Sequence, residues 1–328
     1  METSSFKKVN LIIASIILLL AIFLLSVAVG SVKFPFKELI NTLIERPDNV
    51  KTSILYDLRM PRAIIAMLVG ANLAVSGALL QSVMRNPLAD PGLTGISTGA
   101  SFVAILLMLV FPQYYSILPI GAFLGGALAC MMVFLLAWKN GIKPVRIILA
   151  GVAVNAILGG GTSLLSILHS DKIQGVLMWV NGSLVGKSWH HVGILLPHAI
   201  IGLGLSLTTI HSANLLQLGD DAATNLGINV NRTRILLSAV AVYLAGISVS
   251  VVGIIGFVGL VVPHIARLLI GSNYKFLLPF SMVLGATTLV FADMVARTIA
   301  APIELPVGII MAVVGGPFFL YLLRKGEK

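Results

Sequence analysis

Long apolar stretches separated by short polar segments make up almost the whole chain. A helix needs about 20 apolar residues to cross the hydrocarbon layer of a membrane. The pattern predicts ten spans, near residues 9–29, 63–83, 93–111, 117–137, 145–168, 192–210, 235–255, 256–271, 276–296 and 305–323. The seventh and eighth nearly fuse, and Gly253, Gly256 and Gly259 permit a tight reversal between them. We expect an all-α polytopic membrane protein with residues 1–328 forming one domain.

Composition excludes several other classes. Of the 328 residues, 58% are hydrophobic and 10% are charged, too few charges for the surface of a soluble protein of this size. The formal charge of +10 does not indicate nucleic acid, because no soluble domain presents a basic face. The single Cys130 lies in an apolar run, which excludes a disulfide framework and a cysteine metal site. Lys7 and Lys8 precede a run too long for a signal-peptide core, so we interpret it as a retained first span.

The basic residues predict the orientation. With ten spans and both termini inside, the inner segments hold 13 of the 22 lysines and arginines, and the net charge is about +8 inside and +2 outside. The positive-inside rule therefore favours cytoplasmic termini in the cytoplasmic membrane. The inner acids are Glu2, Asp90, Asp220, Asp221 and Glu327.

The segment QLGDDAATNLGINV (217–230) is a polar interruption on the predicted cytoplasmic face. Asp220 or Asp221 can cap a short helix there, and Gly227 fits the left-handed position at its end. Such a helix would be a rigid projection within the loop 212–234. The alternative is an ordinary connecting loop.

Three arginines lie on the outer face, where the positive-inside rule disfavours them. Arg59 and Arg62 lie just before the second span, and Arg297 ends the ninth. They could pair locally with Asp57, Asp293 or Glu304, bind lipid headgroups, or receive carboxylates from a docking protein. Local pairing is favoured by the residues alone.

Signatures of other functions are missing. GSLVGKS (182–188) has three residues between its glycines, whereas a phosphate-binding loop needs four, so any driving ATP would bind to another chain. Ionisable residues collect at span ends, which argues against proton or sodium coupling. Asn155 and His198 are polar exceptions within spans. No metalloprotease motif or paired intramembrane aspartates indicate an enzyme.

Five motifs in order resemble those of one transporter family. They are LRMPRAIIAMLVGANLAVSGALLQSVMRNPLADPGLTGISTGA (58–100), MWVNGSLVGKSW (178–189), LGDDAATNLGINVNRTR (218–234), GFVGLVVPHIARLLIG (256–271) and FADMVARTIAAPIELPVGIIMAVVGGPFFLYLL (291–323). Together they cover nearly the whole chain. The chain resembles the permease subunits of type II ABC importers for iron–siderophore, haem and cobalamin.

This resemblance implies partners and site residues. The family pairs two ten-helix permeases, as a homodimer or a heterodimer of paralogues, with two cytoplasmic ATPase subunits and an extracytoplasmic substrate-binding protein. No cofactor is expected on this chain, because ATP and Mg²⁺ bind to the ATPase. The resemblance assigns ATPase coupling to Asp220, Asp221, Ala222, Ala223 and Gly227, binding-protein docking to Arg59, Arg62 and Arg297, the cytoplasmic gate to Asn86 and Leu88, and the pathway mouth, on a short outer helix within 173–186, to Trp179 and Leu184.

Three functions remain open. The favoured one is an ABC importer permease for an iron(III)–siderophore complex, with haem or cobalamin as alternative cargo. An ion-coupled secondary transporter is the rival of another class. An intramembrane enzyme or a purely structural subunit is the weakest.

Overall fold

The computed structural model describes residues 5–30, 34–139 and 141–326. Glu2, Glu327 and Lys328, which entered the charge balance, lie outside the described residues. In chain order the α-helices are α1 (Ser5–Ala28), α2 (Phe36–Glu45), α3 (Val50–Ser53), α4 (Met60–Met84), α5 (Ile96–Leu109), α6 (Leu118–Ala137), α7 (Pro144–Leu168), α8 (Ile173–Val180), α9 (Trp189–Thr208), α10 (Ile210–Gln217), α11 (Asp220–Asn225), α12 (Val230–Val252), α13 (Val258–Ile270), α14 (Tyr274–Thr298) and α15 (Val307–Gly326). A π-helix (Ile54–Arg59) joins α3 to α4, and short 3₁₀ helices cover Pro91–Thr94, Pro112–Ile117 and Ser170–Lys172.

The ten predicted spans are confirmed as helices. They correspond to α1, α4, α5, α6, α7, α9, α12, α13, α14 and α15. Seven helical stretches of the described chain are long and apolar enough to cross a membrane, and α5, α13 and α15 are shorter apolar helices. The fold is an all-α polytopic membrane protein.

The second span begins earlier than the sequence predicted. Helical backbone runs without a break from Val50 to Met84, and its π-helical part ends at Arg59. Arg59 and Arg62 therefore lie within this helix and not before it. Pro61 does not interrupt it, because it follows a π-helical turn in which the Met60 N–H donates to the Leu55 carbonyl. The Tyr56 carbonyl, five residues before Pro61, accepts from the indole of Trp189 instead.

Helix α4 forms the centre of the bundle. Nearly all its residues are buried, and it packs against α14, α12, α13 and α9. A Cβ atom on Gly70 would lie 2.2 Å from the carbonyl oxygen of Gly285 in α14, and one on Gly77 would lie 1.8 Å from that of Gly259 in α13. Small residues thus let the helix backbones touch, as the glycine-rich spans predicted.

The bundle has two ends with different chemistry. At one, which we call the Asp220 end, Arg85 lies near Asp220, Ile142 bonds to Asn231, and Asn214 bonds to Asn273. At the other, the Arg62 end, Arg62 binds Asp293, and the indole of Trp189 donates to the carbonyl of Tyr56. The positive-inside rule places the Asp220 end in the cytoplasm.

Irregular backbone is clustered towards the Arg62 end. The Ser183 N–H donates to the Val252 carbonyl at 2.8 Å, and the Gly308 N–H donates to the Gly182 carbonyl at 3.2 Å. Gly253 has φ +78°, and a Cβ there would lie 2.1 Å from the carbonyl oxygen of Trp179, so the predicted reversal at Gly253 is confirmed. The second left-handed residue of the reversal is Phe257 (φ +67°), not Gly256.

The backbone contact between α4 and α14 predicts a sharp difference between two glycines. Gly70→Ala forces its new methyl against the Gly285 carbonyl, so we expect a clear loss of thermal stability in detergent. Gly204→Ala, near the end of α9, meets no atom within 4 Å and should leave the melting temperature unchanged or slightly raised. Fluorescence-detected size-exclusion chromatography after heating measures both. Equal melting temperatures would contradict the packing described here.

Candidate functional sites at the two ends of the bundle

The cytoplasmic polar segment forms the predicted short helix, α11. The residue at its N-cap differs from the prediction, which gave that position to Asp220 or Asp221. Gly219, with φ +107°, occupies the N-cap position, and no side chain caps the helix. The carboxylate of Asp220 is instead bound by arginines, so it is not available to the backbone N–H groups. The capping prediction is therefore wrong.

The end of α11 is as predicted. Gly227 has φ +86°. Its N–H donates to the carbonyl of Thr224 at 2.9 Å, and the N–H of Ile228 donates to that of Ala223 at 3.2 Å. These two bonds form a Schellman motif, in which a left-handed glycine closes the helix. Ala223 is fully buried beneath it.

Arg234 anchors α11 to the bundle. Its guanidinium binds Asp220 through two hydrogen bonds, of 2.8 and 3.0 Å. It also donates to the carbonyls of Ile142 at 2.7 Å and Val83 at 3.3 Å. The Arg234 side chain is only 1% exposed, whereas that of Asp220 is 45% exposed. One buried cation thus joins α11, α12, the end of α4 and the turn before α7.

The outer surface of α11 is exposed. Asp221, Thr224 and Asn225 are exposed. Leu218 and Leu226, on either side of the helix, are 59% and 58% exposed. A rigid projection with two leucines and a carboxylate suits a groove on a partner protein.

Asn86 and Leu88 form a fixed turn near α11. The Asn86 side chain accepts a hydrogen bond from the Leu88 N–H at 2.8 Å, and its carbonyl accepts from the Ala89 N–H. In the same segment, partial burial raises the pKa of the Asp90 carboxyl, although a hydrogen bond from the Gly92 N–H opposes the shift. The turn is rigid, and its role as a gate stays a prediction.

At the opposite end, Arg62 forms the centre of a buried ionic cluster. Its Nε and Nη2 atoms lie 3.0 and 2.9 Å from Oδ1 of Asp293, and its Nη1 lies 2.6 Å from Glu304. Asp293 is fully buried, whereas the Glu304 side chain is 41% exposed. The local pairing that the sequence left open is present in the structure.

Arg297 and Arg59 join this cluster and connect it to α1. Arg297 lies 3.3 Å from Asp293 and donates to the carbonyl and hydroxyl of Ser26. Arg59 donates to the carbonyls of Val27 and Ala28 at 2.9 and 3.0 Å. Three cations and two carboxylates therefore meet among the described residues.

The three arginines line a common cavity. It has a volume of about 170 Å³, and Glu304, Gly30 and Pro302 also contribute to its wall. Excess positive charge in a partly open cavity is suited to a carboxylate from outside. The structure brings together the three arginines that the sequence assigned to docking, and that docking stays a prediction.

The two residues assigned to a pathway mouth differ in exposure. Trp179 lies in α8 and is partly exposed. Leu184 is 1% exposed and packs in the core, so its side chain offers no surface to a pathway in this conformation. Their roles at the mouth stay predictions.

Comparisons with known proteins fit this architecture. The model of the FecCD transport family matches residues 18–325. The chain belongs to the FecCD transport family. It is 42% identical to the Fe(3+)-citrate import system permease protein YfmD of Bacillus subtilis (strain 168), over 99% of this chain and 97% of that one. It is 39% identical to the "Probable heme-iron transport system permease protein IsdF" of Staphylococcus aureus (strain MSSA476), over 98% of each.

A solved structure supports the same assignment. An ABC transporter assigned to the metal-chelate type, in an inward-facing conformation, superposes with a TM-score of 0.86 at 29% identity, covering 96% of this chain and 99% of its own. The FecCD chain described here is thus the permease subunit of an ABC importer in the cytoplasmic membrane and not an enzyme. Its family overturns the ion-coupled and enzymatic alternatives.

Sequence reasoning missed the residue that fixes α11. Arg234 entered only as one of the inner positive charges, and its distance of 14 residues from Asp220 is no recognisable motif. Leu218 and Leu226 were missed as well. Two exposed leucines flanking a polar helix were the available signal for them.

The Arg234–Asp220 pair predicts unequal effects of two neighbouring substitutions. Asp220→Asn leaves the buried guanidinium without its counter-charge, and we expect a loss of about 1–3 kcal/mol, moderated by the exposure of Asp220. Asp221→Asn changes an exposed carboxylate and should leave the melting temperature unchanged. Thermal unfolding of the two purified variants in one detergent compares them. A larger loss for Asp221→Asn would refute the anchoring role of Asp220.

Proposed function

We propose that this FecCD permease carries an iron(III)–siderophore complex across the cytoplasmic membrane. It receives the complex from an extracytoplasmic binding protein at the Arg62 end. Two ATPase subunits at the Asp220 end drive the movement. The observation that carries this proposal is the exposed helix α11, which Arg234 fixes to three other parts of the bundle. The metal-chelate type of the solved relative and the iron-related names of the sequence relatives support the cargo.

The geometry of α11 suits the transmission of force. A lever must move as a unit, and the Schellman motif and the buried Arg234 leave α11 little freedom relative to α12. A displacement of α11 by an ATPase would therefore pull on Asp220 and Arg234, and so on α12, α4 and the turn before α7. Leu218 and Leu226 would supply the apolar contact with the ATPase.

A second permease copy suits the surfaces of α7 and α15. Most side chains of α7 are not buried within the chain. A Cβ atom on Gly159 or Gly160 of α7, or on Gly316 of α15, would meet no described atom within 4 Å. Small residues on an unpartnered helix face permit close approach of another helix or leave room for a pathway. We place the pathway and the partner permease on this side.

The arginine cavity supplies the docking surface at the other end. A glutamate or aspartate of the binding protein would enter beside Glu304, the exposed member of the cluster, and leave the fully buried Asp293 in place. Asp293 keeps the arginines in position, because removing it would leave cations buried without a counter-charge.

Docking can be tested without breaking the buried pair. The exposed Glu304 carboxylate binds Arg62 and would compete with a carboxylate of the binding protein. Glu304→Gln removes this competing charge, so the binding protein should dock several-fold more tightly, most clearly at low salt. Arg59→Gln should weaken docking. Surface plasmon resonance on the permease in nanodiscs measures both, and Lys172→Gln, an exposed lysine, is the matched control. Unchanged affinity in both cavity variants would exclude this cavity as the docking surface.

The cargo is tested by uptake. Cells lacking the gene should lose accumulation of radio-iron from one class of siderophore, including citrate, and regain it with the wild-type gene. Uptake should persist with a protonophore while ATP is held constant. It should stop when Leu218 and Leu226 are both replaced by Asp, because the ATPase then loses its apolar contact.

Haem is the second candidate cargo, since one relative carries a heme-iron transport name. Loss of haem uptake with unchanged siderophore uptake would replace the siderophore proposal, and a cobalamin assay serves as the third arm. Unchanged uptake of all three would contradict the cargo proposal while leaving the family assignment intact.

A further inference from the structure

An apolar groove runs between α6 and α12 on the membrane-facing surface. It encloses about 380 Å³, and its wall includes Met131, Leu135, Trp138, Ile142, Ile235 and Ser238. Met131, Leu135, Trp138 and Ile235 are exposed. The groove lies near the Asp220 end, because Trp138 and Ile142 flank the turn between α6 and α7 and Ile235 lies in the second turn of α12.

Basic residues surround the cytoplasmic opening of this groove. Lys139 follows Trp138, Lys143 follows Ile142, and Arg232 lies one helical turn before Ile235. All three are exposed. The Asn231 side chain accepts a hydrogen bond from the Ile142 N–H at 3.0 Å and so holds the two sides of the opening together.

A fourth cation, Arg146, reaches the same opening. Its Nη1 donates to the carbonyl of Lys139. Within the described ranges, none of the four cations forms an ion pair with a carboxylate. Asp220, which Arg234 connects to the Ile142 carbonyl, is already bound by that arginine. The opening therefore carries uncompensated positive charge.

A buried hydroxyl in the groove also lacks a partner. Ser238 is 3% exposed, and its Oγ has no hydrogen-bond partner among the described residues. It lies six residues beyond Arg232 in the same helix, which is roughly 9 Å deeper in the membrane. The polar headgroup layer of one leaflet is roughly 5–8 Å thick, so with Arg232 at the membrane surface Ser238 would lie at about the depth of the glycerol esters.

We propose that this groove is a binding site for one anionic phospholipid of the cytoplasmic leaflet. Lys139, Lys143 and Arg232 hold its phosphate, the Ser238 hydroxyl donates to an ester carbonyl, and an acyl chain lies along Met131 and Leu135. An uncharged lipid would leave the basic opening without a counter-charge. A second permease copy is disfavoured here, because an isologous contact would bring two positive openings together.

The bound lipid would also support the anchor of α11. Arg234 donates to the carbonyl of Ile142, which is part of the groove wall, and the same guanidinium holds Asp220. A lipid that fastens Trp138, Ile142 and Ile235 together therefore stiffens the attachment of α11. This step rests on the structure alone and does not need the proposed cargo.

The test compares two lipids on the full permease. Detergent-purified protein is titrated with phosphatidylglycerol or with phosphatidylcholine of identical acyl chains, and native mass spectrometry counts the lipid that stays bound. We expect about 5- to 10-fold stronger retention of one phosphatidylglycerol. The triple variant K139Q/K143Q/R232Q should lose that preference. The matched control K7Q/K8Q/K275Q removes three cations at the same end but on α1 and α14, and it should keep the preference.

A second variant tests the groove itself. Ala239→Trp places a bulky side chain in the groove wall and leaves the basic opening intact, so retention of phosphatidylglycerol should fall to the level of phosphatidylcholine. Equal retention of the two lipids by the wild-type protein would overturn the proposal. So would a preference lost equally in the control variant, or an Ala239→Trp protein that loses its permease partner but keeps its lipid.

Discussion

The buried guanidinium of Arg234 is the interaction on which the cytoplasmic end of the protein depends. A cation with 1% exposure is costly to bury unless every face of it is bound, and here two carboxylate oxygens and two carbonyl oxygens bind it. These acceptors belong to three different parts of the chain, namely Asp220, Val83 and Ile142. Losing any of these hydrogen bonds would leave the buried cation partly unbound, and this cost keeps α11, α12, the end of α4 and the turn before α7 in one arrangement. Hydrogen bonds also require a defined geometry, so they fix the orientation of these elements, which an apolar contact between them would not do.

The Arg62 end follows a different principle. There the cluster keeps more cations than carboxylates, and the carboxylates differ in access: Asp293 is fully buried, and Glu304 is 41% exposed. The buried member fixes the geometry of the arginines, whereas the exposed member can be exchanged. In the proposed function, the exchangeable Glu304 suits the Arg62 end to docking, and the anchored α11 suits the Asp220 end to the transmission of movement.

Much of the fold could be predicted from the sequence because its signals are local. The ten apolar stretches predicted the ten helices, and Gly227 predicted the end of α11. Both features depend only on residues that are neighbours in the chain. The sequence could not show that Asp220 would bind Arg234 and leave the N-cap to Gly219, because that choice depends on residues 14 positions apart. The burial of Leu184 and the π-helix that carries Arg59 into the membrane helix are likewise tertiary effects. The motifs named Asp220 and Arg62 without their contacts, because Arg234 and Asp293 lie far from them in the chain.

The two ends are connected mechanically through α4. Its first turn carries Arg62 at one end, its last turn carries the carbonyl of Val83 at the other, and it is buried along almost its entire length. Its close contacts with Gly285 and Gly259 bring backbone against backbone, so that no side chain lies between the helices at these two points. Movement of α11 through Arg234 would therefore reach the arginine cavity as a shift of a whole helix. The proposed coupling would therefore depend on these glycines as well as on the charges, because larger residues would separate α4 from α13 and α14.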